Sequence, residues 1–508
     1  MNTLYRFEDQ AATPVVDLGQ GALLGAWEGG LAIFRGVPYA TPPLGDLRWR
    51  PAQPHPGWSG IRDATAYGPS APQPHGGPTD AVLGGHGEPP FDEDCLTLNV
   101  WTPGLDDARR SVYVWIHGGG FVSGSGSMPN YAGDTFASNG DVVVVSINYR
   151  LGALGFLHFG GAGNFWLSDQ IMALRWVREH IAAFGGNPDD ITVGGQSGGA
   201  YSTAALAVHP ASSGLFRRSI LQSPPCGLVL ADPAEAMHTT AMFLDVLGVG
   251  DVEQARKVPW PKLVEATIAM FGLTAKWGYW LVPFLPVLDG ESIAADPFTA
   301  LRDGARDDLD MLLGWTAREA SFAFGLHPGM ADATEDRVLA RAADTFKGRA
   351  ADVYAAYALG RKPVRPIDVL IDFVSDELFR VPGDELAQAR AARGRPAWVY
   401  QFDLRSPAHD GRLGATHCLD LPFTFHNIER WAHAPFIAGI APQTSKRLAE
   451  AMHRAWISFI RTGDPNHTGL PSWEPYTADT RTVMSFDSAI APVSDPIGDR
   501  RLWYADQQ

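Results

Sequence analysis

The residues best placed to do chemistry are Gly195-Gln196-Ser197-Gly198-Gly199, which follow the apolar run Ile191–Val193 and precede a helix-compatible segment. A serine on a tight strand-to-helix turn presents its hydroxyl for nucleophilic attack. Its neighbours must be small, because the turn is crowded and its backbone strained. The helix start that follows leaves N–H groups without acceptors, free to meet a developing negative charge. A second glycine run, His117-Gly118-Gly119-Gly120-Phe121, follows the apolar stretch ending at Ile116. Its N–H groups carry no shielding side chains and can approach a substrate oxygen. A nucleophile and a set of oxyanion donors together describe acyl transfer. The hydroxyl also needs a base, and with 15 histidines in the chain the mere presence of one decides nothing.

Those residues need a scaffold. Val112–Ile116 and Val142–Ile147 are nearly continuous apolar runs, as expected of parallel strands covered on both faces. Leu174, Val177, Ile181 and Phe184 recur at spacings of 3, 4 and 3, a helical stripe that Gly185-Gly186 and Pro188 end. Ser219–Gln222, Met311–Leu313 and Trp398–Phe402 read as later strands, and Leu448, Met452, Trp456 and Phe459 mark a C-terminal helix. Strand and helix alternate, so the expected class is α/β, a large mostly parallel sheet flanked by helices. Residues 225–310 and 325–395 break the rhythm and are expected to be helical lid insertions over the sheet's C-terminal edge, where ligands bind in such folds. The Gly- and Pro-dense stretch 72–90 reads as a long loop, either a lid or a plain surface excursion. In a fold of this kind the triad runs serine, acid, histidine. His417, in a loop-like segment after Trp398–Phe402, suits the base. Glu319, shortly after Met311–Leu313, suits the acid, although spacing leaves other carboxylates open.

Composition bounds the reading. With 508 residues, 45% hydrophobic and 19% charged, the chain can bury a large core. Length alone suggests several domains, but the spread of the motifs favours a single domain, 1–508. A net charge of −16 and no compensating basic cluster argue against nucleic acid or an anionic membrane as partner. Met1–Gln10 has no apolar signal core, and no run reaches the ~18 apolar residues of a membrane span, so a cytoplasmic location is expected. Cys95, Cys226 and Cys418 show no metal-ligand spacing, and neither a metal nor an organic cofactor is expected.

Further stretches carry a resemblance. Phe34-Arg35-Gly36-Val37-Pro38-Tyr39-Ala40, Glu93–Val100, Asn148-Tyr149-Arg150-Leu151-Gly152, Phe184–Pro188, Pro286–Gly290 and Thr462–Asn466 occur in order along the chain. With the two glycine motifs they make it similar to the type-B carboxylesterase/lipase family of α/β-hydrolases, which includes cholinesterases, liver carboxylesterases and bacterial p-nitrobenzyl esterases. The resemblance implies Ser197 as nucleophile, Glu319 as acid and His417 as base. It implies Gly119, Gly120 and Gly198 as oxyanion donors, and Ser223 as a buried serine bonded to the acid. Phe165-Trp166-Leu167, the 195–199 run and the segment from His417 to Phe425 are most similar to a bacterial branch that includes a phenylcarbamate hydrolase.

Several positions depart from the family pattern. Gln196 stands for the usual glutamate, Gly198 for alanine, and Trp166 for glycine. Losing a carboxylate beside the serine should make the site less favourable to cationic leaving groups than in cholinesterases. Cys95 holds the family's disulfide position without a preceding cysteine, which agrees with a reducing compartment. The 72–90 loop lacks the choline-binding tryptophan. Phe121, Trp166, Trp277, Trp280 and Phe284 are candidates to wall a pocket for aromatic groups, although aromatics also build cores.

The resulting expectation is a serine esterase acting on small aromatic or bulky neutral esters. Carbamate or amide hydrolysis is the alternative, and a non-catalytic cholinesterase-like binding protein a remote one. The sequence leaves the oligomeric state open.

Overall fold

The computed structural model describes residues 13–76, 80–84, 90–330 and 332–505. The Met1–Gln10 segment and parts of the 72–90 loop lie outside the described residues. The central sheet has eleven strands: β1 (Ala26–Glu28), β2 (Leu31–Pro38), β3 (Thr97–Thr102), β4 (Arg110–Ile116), β5 (Val143–Ile147), β6 (Gly186–Gln196), β7 (Arg218–Gln222), β8 (Asp310–Thr316), β9 (Trp398–Phe402), β10 (Thr482–Phe486) and β11 (Ala491–Ser494). Their spatial order is β11-β10-β9-β8-β7-β6-β4-β5-β3-β2-β1. The pairs from β5 through β10 are parallel, and antiparallel pairs flank them on both sides. Three short strands, Val15–Asp17, Ala22–Leu24 and Ile61–Asp63, form a separate small sheet.

The strands are apolar throughout because both faces are covered, and alternation sorts their side chains between two layers. Val112, Val114 and Ile116 point into one layer with Phe165, Leu174 and Val177 of helix α1 (Phe165–His180). Tyr113 and Trp115 point into the other, with Met452, Trp456 and Phe459. The two helical stripes of the sequence thus cover opposite faces. The strand expected at Ile191–Val193 is longer, running from Gly186, where it pairs with Arg110 before a register shift. Helix α2 (Gly198–Val208) starts directly after it.

Between β7 and β8 stand helices α3 (Pro233–Leu247) and α4 (Trp260–Thr274). Between β8 and β9 stand α5 (Glu335–Phe346), α6 (Pro366–Ser375) and α7 (Val381–Ala392), with a π-helical stretch, Asp376–Arg380, joining the last two. The α8 helix (Pro442–Thr462) completes the second layer. Among the described residues no helix is long and apolar enough to cross a membrane. The three cysteines are buried and unpaired.

Two buried ion pairs tie sequence motifs to the scaffold. Arg150 donates from its backbone N–H (3.1 Å), Nε (2.8 Å) and Nη2 (2.6 Å) to Asp169 of α1, locking the loop after β5 against the helix. Arg48 pairs with Glu93 and also donates to the carbonyls of Arg256 (2.7 Å) and Val258 (2.6 Å), just before α4.

The strand-to-helix turn has no spare room. Ser197 sits at φ 57°, ψ −122°, a strained conformation for a side chain-bearing residue. A Cβ on Gly195 would run into Gly199, and one on Gly199 into the carbonyl oxygen of Ile116. At Gly198 a Cβ would come nearest to the Phe121 ring, at 3.1 Å, with the Phe121 backbone nitrogen at 3.5 Å. Gly199→Ala should therefore destabilise the protein by about 1–3 kcal/mol. Gly198→Ala should cost about 1 kcal/mol or less. Urea unfolding of the two variants checks this ordering, and equal midpoints would contradict it.

Candidate active site

Four segments bring their residues to the C-terminal ends of the parallel strands. The glycine run His117–Gly120 follows β4, Ser197 follows β6, Glu319 follows β8 and His417 lies beyond β9. Ligands bind at this edge because the loops there diverge and leave a crevice. Ser197 is anchored by its own backbone: its N–H donates to Gln222 O at 2.9 Å, and its carbonyl accepts from Tyr201 N–H at 2.9 Å.

Glu319 and His417 meet although 98 residues separate them: Nδ1 of the ring faces Oε2 of the carboxylate in a very short contact. The other carboxylate oxygen, Oε1, accepts from the Thr316 N–H at 2.7 Å. The two loops are tied together by Arg318 N–H donating to Ala415 O at 2.9 Å. The Arg318 side chain also bonds Asp368 (2.8 Å) and Asp372 (3.2 Å) of α6. Both Glu319 and His417 are buried. Burial by itself disfavours the imidazolium, but the Cys418 side chain and the Glu319 carboxylate outweigh it and push the His417 pKa above the ordinary histidine value.

Three aromatic rings enclose the imidazole. Trp280 lies edge-to-face at 5.2 Å, Phe322 at 5.6 Å and Phe379 at 5.3 Å between ring centroids. Trp280 belongs to a strap, residues 276–284, that crosses the site. Val282 of the strap lies close above Gly120, 3.2 Å from where a Cβ would stand. Arg341 of α5 holds the strap down, donating to Gly278 O at 3.0 Å and lying 3.9 Å over the Tyr279 ring. Lys276 and Tyr279 both bond Asp344 of the same helix.

The glycine loop borders the serine from the opposite side. A Cβ on Gly118 would stand 3.2 Å from the Ser197 Cβ. Gly119 and Gly120 have φ of 114° and 59°, which favours glycine at both. Their N–H groups find no acceptor among the described residues, and that of Gly198, first in helix α2, has no intrahelical acceptor. The loop is buttressed by Tyr149, which stacks on His117 at 4.5 Å and donates its hydroxyl to His117 O at 2.9 Å. Burial pulls the His117 pKa down to about 4, so the neutral ring donates from Nδ1 to Gly118 O at 2.8 Å.

Several expected contacts are absent. Ser197 Oγ has no hydrogen-bond partner among the described residues, and the His417 Nε2 that would receive its proton faces Gln196 Nε2 at 2.9 Å. Ser223 Oγ is buried without a partner among the described residues, and the backbone of Thr316 and the ring of His417 take the two Glu319 oxygens. Trp166 and Phe284 pack into the core, Phe284 also bordering a small cavity with Phe156, Leu157 and Val287. Trp166 is wholly buried, stacked on Phe156 at 5.3 Å beneath Phe121, and Phe284 is buried against Phe243 at 5.5 Å. Trp277 turns to Arg337, whose guanidinium lies 4.2 Å over its ring. Phe121 covers Gly198, and Trp280 covers His417.

Sequence reasoning missed Phe322, Phe379 and Asp420. The first two come from helical stretches with no chemical signature. Asp420, three residues after His417, is buried and accepts from Tyr400 (2.8 Å) and Gln222 (2.9 Å), joining the histidine loop to the middle of β9 and the end of β7. Burial pushes its carboxyl up, against the pull of those two hydrogen bonds.

A general base works only when neutral, so kcat/KM should rise with pH through the His417 pKa. Because that pKa is raised, the midpoint should lie above about 6.5. Glu319→Gln should lower the midpoint and reduce kcat on the order of 10⁴-fold. A pH–rate profile of both proteins checks this, and an unmoved midpoint would contradict it.

A family model described as the carboxylesterase family matches residues 12–501. Phenmedipham hydrolase of Pseudarthrobacter oxydans is 49% identical over 471 residues, covering 93% of this chain and 94% of that protein. Para-nitrobenzyl esterase of Bacillus subtilis is 35% identical over 507 residues, covering 96% and 97%. Among solved structures, a carboxylesterase of Geobacillus stearothermophilus superposes with a TM-score of 0.85 at 37% identity, covering 96% of this chain and 99% of that one. A thermophilic PNB esterase gives 0.86 at 32%, covering 97% and 100%. The resemblance stated from the motifs and the α/β-hydrolase fold it implied are both borne out. On the span of the family match and the identity of its relatives, the chain belongs to the carboxylesterase family.

Proposed function

We propose that this carboxylesterase-family enzyme cleaves carboxylic esters through an acyl-enzyme on Ser197, with His417 as base and Glu319 as its orienting acid. The observation that carries the assignment is the buried contact between His417 Nδ1 and Glu319 Oε2 at the end of the sheet where Ser197 sits. A carboxylate on Nδ1 keeps the proton there and leaves Nε2 as the basic end.

His417 takes the Ser197 proton as Oγ attacks the carbonyl carbon. The Gly119, Gly120 and Gly198 N–H groups receive the oxyanion, each contributing on the order of 3 kcal/mol. His417 then protonates the leaving group, and a water activated by the same ring releases the acid. No step needs a metal or an organic cofactor. The strap, lying over His417 and Gly120, would exclude bulk water and strengthen these interactions.

For substrate we propose small esters with an aromatic or bulky neutral group lying against Trp280. The 49% identity to a phenmedipham hydrolase favours a second reading, cleavage of aryl carbamates by the same cycle through a carbamoyl-enzyme. Nitrogen donation makes that carbonyl less electrophilic, so turnover would be slower. We also propose that residues 1–508 form one domain, with 225–310 and 325–395 as insertions over the site, and that the enzyme is cytoplasmic.

Ser197→Ala should lower kcat/KM roughly 10⁶-fold, and retention of a few per cent of activity would refute the assignment. Matched p-nitrophenyl ester, anilide and phenylcarbamate substrates separate the two readings by their kcat/KM order. Trp280→Ala should raise KM for aryl esters about 10-fold more than for alkyl esters. Equal changes for the two series would remove Trp280 from the pocket.

A further inference from the structure

The side chain of Gln196 lies where a triad serine would be expected to bond. Gln196 is the last residue of β6, pairs with Gln222 in the parallel register, and is buried. Its Nε2 stands 2.9 Å from His417 Nε2, and its Oε1 lies over Gly118, 2.8 Å from where a Cβ would stand. A side chain at Gly118 would run into the Gln196 backbone oxygen, at 2.6 Å, as well as into this amide.

The carboxylate at Nδ1 makes that nitrogen the proton carrier. Nε2 then holds the lone pair, and the Gln196 amide N–H donates to it. The atom that must accept the serine proton is thus already occupied by a neutral donor. Once Nε2 is protonated the same donor repels it, whereas Oε1, after the amide turns over, accepts from it. An amide can serve both protonation states of the ring without adding charge. A carboxylate at the same place could serve only the imidazolium.

We infer that Gln196 is a positioning residue that holds His417 through Nε2 in both protonation states and keeps the free-enzyme base neutral to lower pH than a glutamate there would allow. The inference rests on His417 being the base for Ser197. The titratable groups facing the ring are Glu319 from the loop after β8 and Cys418 and Asp420 from its own loop. The strap, α6 side and residues after Glu319 present only Trp280, Phe379 and Phe322 to it. Glu319 already favours the imidazolium, so a second carboxylate about 3 Å from Nε2 would add to that preference, by one to three pH units for an opposite charge at such range.

The test is the pH dependence of Ser197 phosphonylation by a fluorophosphonate, which reads serine activation without a substrate-binding requirement, measured on the full-length parent, Gln196→Glu and Gln196→Met. In the Glu variant the acid limb of the rate should move up by at least one pH unit. In the Met variant, which fills the space with no donor and only a weak acceptor, the limb should move by less than half a unit while the plateau rate falls about 10-fold. kcat on a p-nitrophenyl ester should fall with it and KM should change little. Limbs that superimpose for parent and Glu variant would overturn the inference, as would a Met variant with the parent's plateau rate. If Gln196→Glu does not fold, the Met plateau decides alone. A parent that is not labelled at Ser197 refutes the triad reading itself, an outcome distinct from labelling that ignores residue 196.

Discussion

A carboxylate and an imidazole held in contact where water is excluded form the interaction on which the rest of this structure depends. Glu319 and His417 belong to loops after different strands, and neither loop is regular. Their registration comes from the Arg318–Ala415 backbone bond, from Arg318 anchored on two aspartates of α6, and from Asp420 tied to Gln222 of β7 and Tyr400 of β9. The aromatic enclosure lowers the local dielectric, which strengthens the pair and makes an unpaired charge there costly. The chain between β7 and β8 and the chain between β8 and β9 both contribute to that enclosure: Trp280 comes from one and Phe379 from the other.

The serine side of the site is governed by space rather than charge. The strained Ser197 backbone persists because the glycines around it leave no alternative packing, and the glycine loop fits against it for the same reason. That loop is in turn fixed by Tyr149, whose neighbour Arg150 is locked onto α1. A chain of buried contacts thus runs from the first sheet-covering helix to the candidate oxyanion donors, so that their N–H groups need little reorganisation when charge develops.

Much of this was legible in the residues. Alternation of apolar strands with helical stripes at Leu174–Phe184 and Leu448–Phe459 specified a covered parallel sheet, because burial on both faces forbids polar alternation. The elbow was legible because only a crowded turn needs glycine on both sides of a serine. Spacing did not single out a candidate acid, since nothing local distinguishes Glu319 from other carboxylates; the family pattern pointed to it. Side-chain partners chosen by packing were not legible. Ser223 was expected to bond Glu319, but a backbone N–H from Thr316 holds that place. Trp166 and Phe284 were expected near substrate, yet large rings in a chain of this size fill core space as readily as they line clefts. Gln196 was read as the loss of a charge, whereas its contact with His417 shows where its amide goes.

The central claim is that Ser197, His417 and the three glycine N–H groups form one reacting centre. A crystal structure of the protein inactivated by a fluorophosphonate tests it most directly. The account predicts phosphorus bonded to Ser197 Oγ, the phosphoryl oxygen within hydrogen-bond reach of the Gly119, Gly120 and Gly198 N–H groups, and His417 Nε2 turned toward the adduct. An adduct on another residue, or one on Ser197 whose oxygen points away from all three glycines, would contradict it.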